Sequence, residues 1–202
     1  MSGAEARRLR LLVMVKEPRP GRVKTRLARG IGKVPAAWWF RRQLAQTLRR
    51  LGRDPRWELI LFVSPHGAEA SRAFPGGFRR MAQGSGDLGA RMARGLREAP
   101  PGPVLLMGGD IPRVTRAQIA ASFKALEGAE ALFAPAGDGG FWLVGLKRGG
   151  AAPPRGLFRD CRWSTEHALA DAEASAAPLR IARGPLMRDV DEASDLPPRD
   201  WR

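Results

Sequence analysis

The chain has one cysteine, Cys161, two histidines, His66 and His167, and no tyrosine among its 202 residues. A single cysteine excludes an internal disulfide framework, and two histidines cannot build a Cys/His zinc site. Without tyrosine, and without basic residues interleaved with aromatics, there is no sign of an RNA-stacking sheet. Long apolar runs are missing too: nothing approaches the roughly 20 apolar residues that span a bilayer. The opening stretch "MSGAEARRLRLLVMVKEPRPG" places basic residues before a short apolar run. The run is too short for a secretory signal and no small-residue cleavage pattern follows it, so it reads as a first strand and the protein as cytoplasmic.

Acidic residues and lysines are scarce. Lys+Arg number 35 against 20 Asp+Glu, a formal charge of +15, and the lysines are Lys16, Lys24, Lys33, Lys124 and Lys147. Such a field favours anionic partners: nucleic acid, nucleotides or an anionic membrane surface. The basic residues are spread along the chain rather than gathered in one tail or helix. That weakens the nucleic-acid reading and also suits a plain arginine-rich, solvated surface. With 44% hydrophobic residues, the chain can bury a real core, and its length suits one domain over residues 1–202.

Short apolar runs alternate with amphipathic stretches. Strands are expected at Leu9–Lys16, Trp57–Pro65, Phe78–Gln83, Pro103–Asp110, Ala129–Ala136, Phe141–Lys147 and Leu179–Arg183. Helices are expected at Pro35–Leu51, at Gly86–Ala99, at Thr115–Gly128 with a Thr cap and a Gly stop, and at Ser164–Ser175 with a Ser cap. Arg148–Gly156, "RGGAAPPRG", reads as a flexible loop. This alternation predicts an α/β fold: a mainly parallel sheet covered by helices on both faces.

In such a sheet, ligands bind beyond the carboxyl ends of the strands. "KEPRPGRVKTRL", Lys16–Leu27, follows the first strand and sets Lys16, Arg19, Arg22, Lys24 and Arg26 around Gly21, a composition that can hold phosphates or simply make a stiff basic loop. It is neither a Walker A loop nor G-x-G-x-x-G. In "MGGDIP", Gly108 and Gly109 let a ligand approach the backbone, and Asp110 can offer a hard oxygen to a phosphate-bound divalent cation, or make an ordinary turn. "PAGDGGFWLVGL" carries Asp138 between glycines, as a hydroxyl ligand or as a hairpin turn. In "MRDVDEASDL", Asp189 and Asp191 stand two apart and could add a metal ligand, or Asp191 could cap a helical turn.

Taken in order, "VKEPRPGRVKTRLA", "GDLGARM", "GGDIP", "PAGDGGFWLVGL", "LFRDCRWST" and "DVDEASDL" resemble the small bacterial GT-A-like transferases of the nucleotide-diphospho-sugar transferase fold, in the branch labelled radical-SAM/selenodomain-associated transferase 1. Molybdenum cofactor guanylyltransferase and phospholactate guanylyltransferase are wider relatives. The resemblance implies a three-layer α/β/α Rossmann-like domain, a nucleotide-sugar or NTP donor and a small-molecule acceptor. It implies phosphate contacts from Gly21, Arg22, Lys24, Thr25 and Arg26 beside Lys16, with Asp87 and Arg91 next to the nucleotide. Mg²⁺ or Mn²⁺ would sit on Asp110 with Asp189 and Asp191. The acceptor side would fall to Asp138, Gly139, Gly140, Trp163, Ser164 and Thr165. Asp87 could instead start a helix, and Trp163 and Ser164 could be a packed ring and a cap. Lys24, Asp110 and, as a candidate base, Asp138 would carry the chemistry. The chain departs from the pattern at Phe141-Trp142, where a tyrosine is usual, and at Glu192 in place of threonine. Rival expectations are a non-catalytic nucleotide or RNA binder, and peripheral contact with anionic lipid.

Overall fold

The computed structural model describes residues 8–147 and 153–187. Among these residues seven strands form one sheet in the order β3-β2-β1-β4-β6-β5-β7. They are β1 (Leu9–Lys16), β2 (Trp57–Ser64), β3 (Arg79–Ala82), β4 (Val104–Gly108), β5 (Ala131–Pro135), β6 (Phe141–Leu146) and β7 (Ile181–Arg183). β1 pairs in parallel with β2 and β4, so that Val13 faces Leu61 on one side and Met107 on the other. β6 is antiparallel to both β4 and β5. The central parallel strands β1, β2 and β4 are mostly apolar because both of their faces are covered.

The helices are α1 (Leu27–Ile31), α2 (Lys33–Leu51), α3 (Leu88–Glu98), α4 (Arg116–Ala125) and α5 (Ala168–Ser175). Alternate strand residues separate two cores. Leu11, Val13, Leu61 and Met107 pack with Phe40, Leu44 and Leu48 of α2 and with Ile119 and Phe123 of α4. Leu12, Ile60, Phe62 and Leu106 pack with Met92 and Leu96 of α3 and with Ala172 of α5. The period of two in the strands thus places α2 and α4 on one face and α3 and α5 on the other. The result is the expected three-layer α/β/α sandwich.

Local chemistry moves several expected boundaries. Pro35 lies in the first turn of α2, which starts at Lys33, where a missing N–H costs nothing. The Thr115 cap holds, as a capping box with Gln118, but α4 ends at Ala125 with Leu126 as its C-cap, not at Gly128. Ser164 does not cap α5. It has φ +61° and the helix begins at Ala168. The intervening turn is held instead by Thr165, whose Oγ1 donates to the Arg162 carbonyl and accepts from His167 N–H. Arg162 then locks the start of α5 through paired bonds to Asp171, 2.9 and 2.8 Å, which hold that carboxyl well below its usual range. Of the expected flexible loop, residues 148–152 lie outside the described residues, as do Asp189 and Asp191.

Candidate functional site

The chain leaves β1 toward β2 and β3 and returns as β4 on the other side of β1. That reversal opens a crevice at the strands' carboxyl ends. A cavity of about 470 Å³ occupies it, within the usual range for small-ligand sites. Its floor is Val15, Ser64 and Gly108. Its sides include Arg22 and Lys24 of the first loop, Phe40 of α2, Arg91 and Met92 of α3, and Phe141 and Trp142. Because β6 runs in reverse, its first residues stand at the same edge as the ends of β1 and β4.

Two polar constructions define the cleft. Lys24 Nζ lies 2.8 Å from Asp110 Oδ2, with the Lys24 side chain 6% exposed and Asp110 38% exposed. Lys24 sits at φ +45°, uncommon for a residue with a β-carbon. Asp110 follows Gly109, whose N–H bonds the Met14 carbonyl at 3.0 Å. A β-carbon on Gly109 would stand 2.4 Å from Val15 Cγ1, so only glycine lets the β4 loop lie on β1.

The second construction centres on Gln83, just after β3 and 2% exposed. Its Nε2 donates to the Val15 and Phe62 carbonyls at 3.1 and 2.8 Å. Its Oε1 accepts from Arg91 Nη1 at 3.1 Å, and Arg91 Nε also donates to the Asp87 carbonyl. Gln83 therefore ties the ends of β1 and β2 together and aims a guanidinium along the cleft. No motif pointed to it; a lone glutamine after a weak strand carries no signal. Glu17 is likewise unmarked by the sequence, a lone acid inside a basic loop. It is buried, accepts from Ser71 Oγ at 2.6 Å and pairs with Arg19. The Ser71 hydrogen bond, then Arg19 and Arg22, hold its carboxyl below the usual value against the opposing effect of burial.

Of the expected site residues, Lys16, Arg22, Lys24, Arg91 and Asp110 line this cavity together. Gly21, Thr25 and Arg26 are exposed elsewhere on the first loop. Asp87 is exposed and caps α3, its Oδ1 accepting from Ala90 N–H at 2.7 Å. Asp138 is exposed at the tip of the β5–β6 hairpin and accepts from Gly140 N–H at 3.0 Å, so the glycine-rich stretch makes the hairpin turn. Gly139 there has φ +86° and docks on the segment before α5: a β-carbon would stand 2.4 Å from Glu166 Cα. Trp163 is packed with Phe141 and Phe158, ring centroids 6.2 and 6.1 Å away, which places it behind the cleft wall. Ser164 and Thr165 are exposed in the adjoining turn.

Among the described residues no group of three or more His, Cys, Asp or Glu side chains could hold a metal ion. Among the described residues that line the cleft, Asp110 is the one carboxylate. A single carboxylate can suffice for Mg²⁺ when phosphates and waters complete the octahedron. The donors therefore fit a cation that arrives with a polyphosphate better than a closed protein cage.

Residues 47–165 match the family described as "Uncharacterized protein conserved in bacteria (DUF2064)". The chain belongs to that family. Among solved structures, it is 29% identical to a candidate nucleotide-diphospho-sugar transferase from Desulfovibrio desulfuricans, with TM-score 0.80, covering 91% of this chain and 82% of that one. It shares its fold with 4-diphosphocytidyl-2C-methyl-D-erythritol synthase from Anaerococcus prevotii, at 13% identity, TM-score 0.59 and 96% coverage of each chain. The inositol-1-phosphate CTP transferase from T. maritima is likewise similar, at 11% identity and TM-score 0.55, covering 97% of this chain and 94% of that one. No curated protein matches the chain in sequence. These neighbours make the sheet a Rossmann-like nucleotide-diphospho-sugar transferase fold.

Proposed function

We propose that this DUF2064 protein is a transferase acting on a nucleotide-activated donor, first of all a nucleotide-diphospho-sugar. The observation that carries the reading is the gathering of Lys16, Arg22, Lys24 and Arg91 around Asp110 in one cleft at the strand ends. The name of the 29% identical neighbour supports a sugar nucleotide as donor, and the ordered sequence motifs support the radical-SAM/selenodomain-associated transferase 1 branch.

In glycosyl transfer an acceptor oxygen attacks the anomeric carbon. The bond from that carbon to the β-phosphate oxygen breaks, and the nucleoside diphosphate leaves with the electron pair. Arg22, Lys24 and Arg91 would bind the phosphates and neutralise the charge that grows on the leaving oxygen. Arg91, already held by Gln83, would be oriented before the donor arrives. Asp110, with Asp189 and Asp191, would hold Mg²⁺ or Mn²⁺, which stabilises phosphate charge as a Lewis acid. Lys24, paired with Asp110 at 2.8 Å, would place its charge between that carboxylate and the phosphates. Asp138, three residues before the cleft-lining Phe141, is the candidate to take the acceptor's proton.

The same parts could serve nucleotidyl transfer, in which a phosphorylated acceptor attacks the α-phosphate of an NTP and pyrophosphate leaves. A thermal-shift panel of NTPs and nucleotide-sugars, with and without Mg²⁺ or Mn²⁺, on wild type and Asp110→Ala, tests both. The expected result is a metal-dependent shift with nucleotide-sugars that Asp110→Ala abolishes. The same pattern with NTPs alone selects nucleotidyl transfer. No shift with any nucleotide, or one indifferent to Asp110→Ala, removes the transferase reading in favour of a non-catalytic binder.

A further inference from the structure

Between Glu17 and Asp54 the sequence has no acidic residue and eleven lysines and arginines. This stretch carries the first loop, α1 and α2. One face of α2 is buried through Ala37, Phe40, Leu44, Leu48 and Leu51. The other face is unusual for a solvated helix. Val34 is 53% exposed and Trp38 63% exposed, one turn apart, and they are two of four large exposed hydrophobics among the described residues. At 3.6 residues per turn, Arg41, Arg42 and Arg49 fall on the same face, and all three are exposed. The Arg41 guanidinium carbon lies 5.5 Å from the Trp38 ring centroid.

We propose that this face of α2 docks on an anionic lipid bilayer. A tryptophan and an aliphatic side chain flanked by arginines are the composition of a helix lying in the membrane interface. The arginines meet anionic headgroups while Trp38 and Val34 enter the acyl boundary, and nothing on this face of the helix repels a negative surface. A single-stranded nucleic acid would use a groove with successive stacking rings. Trp38 is the one aromatic among those four exposed hydrophobics, and Val34 gives a base nothing to stack on. The cleft lies against the other, buried side of the same helix. Lys33 in the first turn packs against the first loop, where a β-carbon on Gly21 would lie 3.5 Å from Lys33 Cδ, and Phe40 of the same helix lines the cavity. The inference does not depend on the nature of the donor.

The test is co-sedimentation of the full chain with vesicles of phosphatidylcholine alone, or of phosphatidylcholine mixed with phosphatidylglycerol. The proteins are wild type, Trp38→Ser and the double variant Arg41→Gln/Arg42→Gln. All three positions are exposed, and melting curves verify that each variant folds. Wild type is expected to bind the mixed vesicles, less at high salt, and to ignore the neutral ones. Trp38→Ser and the double variant should each raise the lipid concentration for half-binding by at least about fivefold. Three results overturn the proposal: no binding to mixed vesicles, binding that neither variant weakens, or binding of a single-stranded RNA oligomer through the same residues with no vesicle binding.

Discussion

At the scale of single residues, the cleft depends on side chains that fix others. Gln83 spends its whole amide on two strand-end carbonyls and Arg91. In Gln83→Leu the shape is roughly kept but those buried partners lose their hydrogen bonds, which should lower stability by about 1–3 kcal/mol in urea titration. On the proposed reading nucleotide affinity should fall with it, because Arg91 loses its orientation. A variant as stable as wild type would mean that the amide is replaceable. Asp110 was legible as a site candidate because a carboxylate beyond a buried apolar strand demands a partner. Its partner, Lys24, is legible in the same site from its basic loop, but the ion pair joining them is not, since pairing across two loops is a tertiary fact. Arg10 was invisible for the same reason: it reads as a surface arginine yet is fully buried, bonded to Glu58 and to the Pro101 carbonyl.

Elements were legible where packing and local chemistry agree. β1, β2 and α2 carry enough apolar residues at the right period that tertiary contacts only confirm them. The start of α5 misled because Ser164 resembles a cap, whereas the chain there packs Trp163 against an aromatic cluster and reaches a helix only at Ala168. The β5–β6 hairpin is the element whose position matters most to the cleft, since Phe141 and Trp142 follow its turn. Gly139→Ala should loosen it. The residue has positive φ and its β-carbon would meet Glu166 backbone, so the expected loss is about 1–3 kcal/mol by denaturant unfolding, together with a changed near-ultraviolet signal from the aromatic cluster. Unchanged stability would show that the turn can lift away from α5 at no cost.

For the whole molecule, layer architecture and the edge that carries the site could be read from alternation of elements, because both follow from burying apolar faces. Strand order and the reversal of β6 could not, because they depend on which neighbours each strand finds. The charge of +15 acts at this scale as well. Like charges repel in the folded state, so adding NaCl from low ionic strength should raise the melting temperature before any specific ion effect enters. A fall with salt would mean that attractive ion pairs such as Arg162–Asp171 outweigh the net repulsion. The reversed strand has a kinetic consequence. The wall bearing Phe141 and Trp142 belongs to a hairpin whose strands are joined by a short turn and can pair within microseconds. The floor needs β1 to find β4 across some ninety intervening residues, a slow step because that loop must close first. One side of the cleft is therefore built early and locally, the other late and globally. A ligand of this cleft can be bound only after that last pairing, which would make binding a report on the completion of folding and not an aid to its beginning.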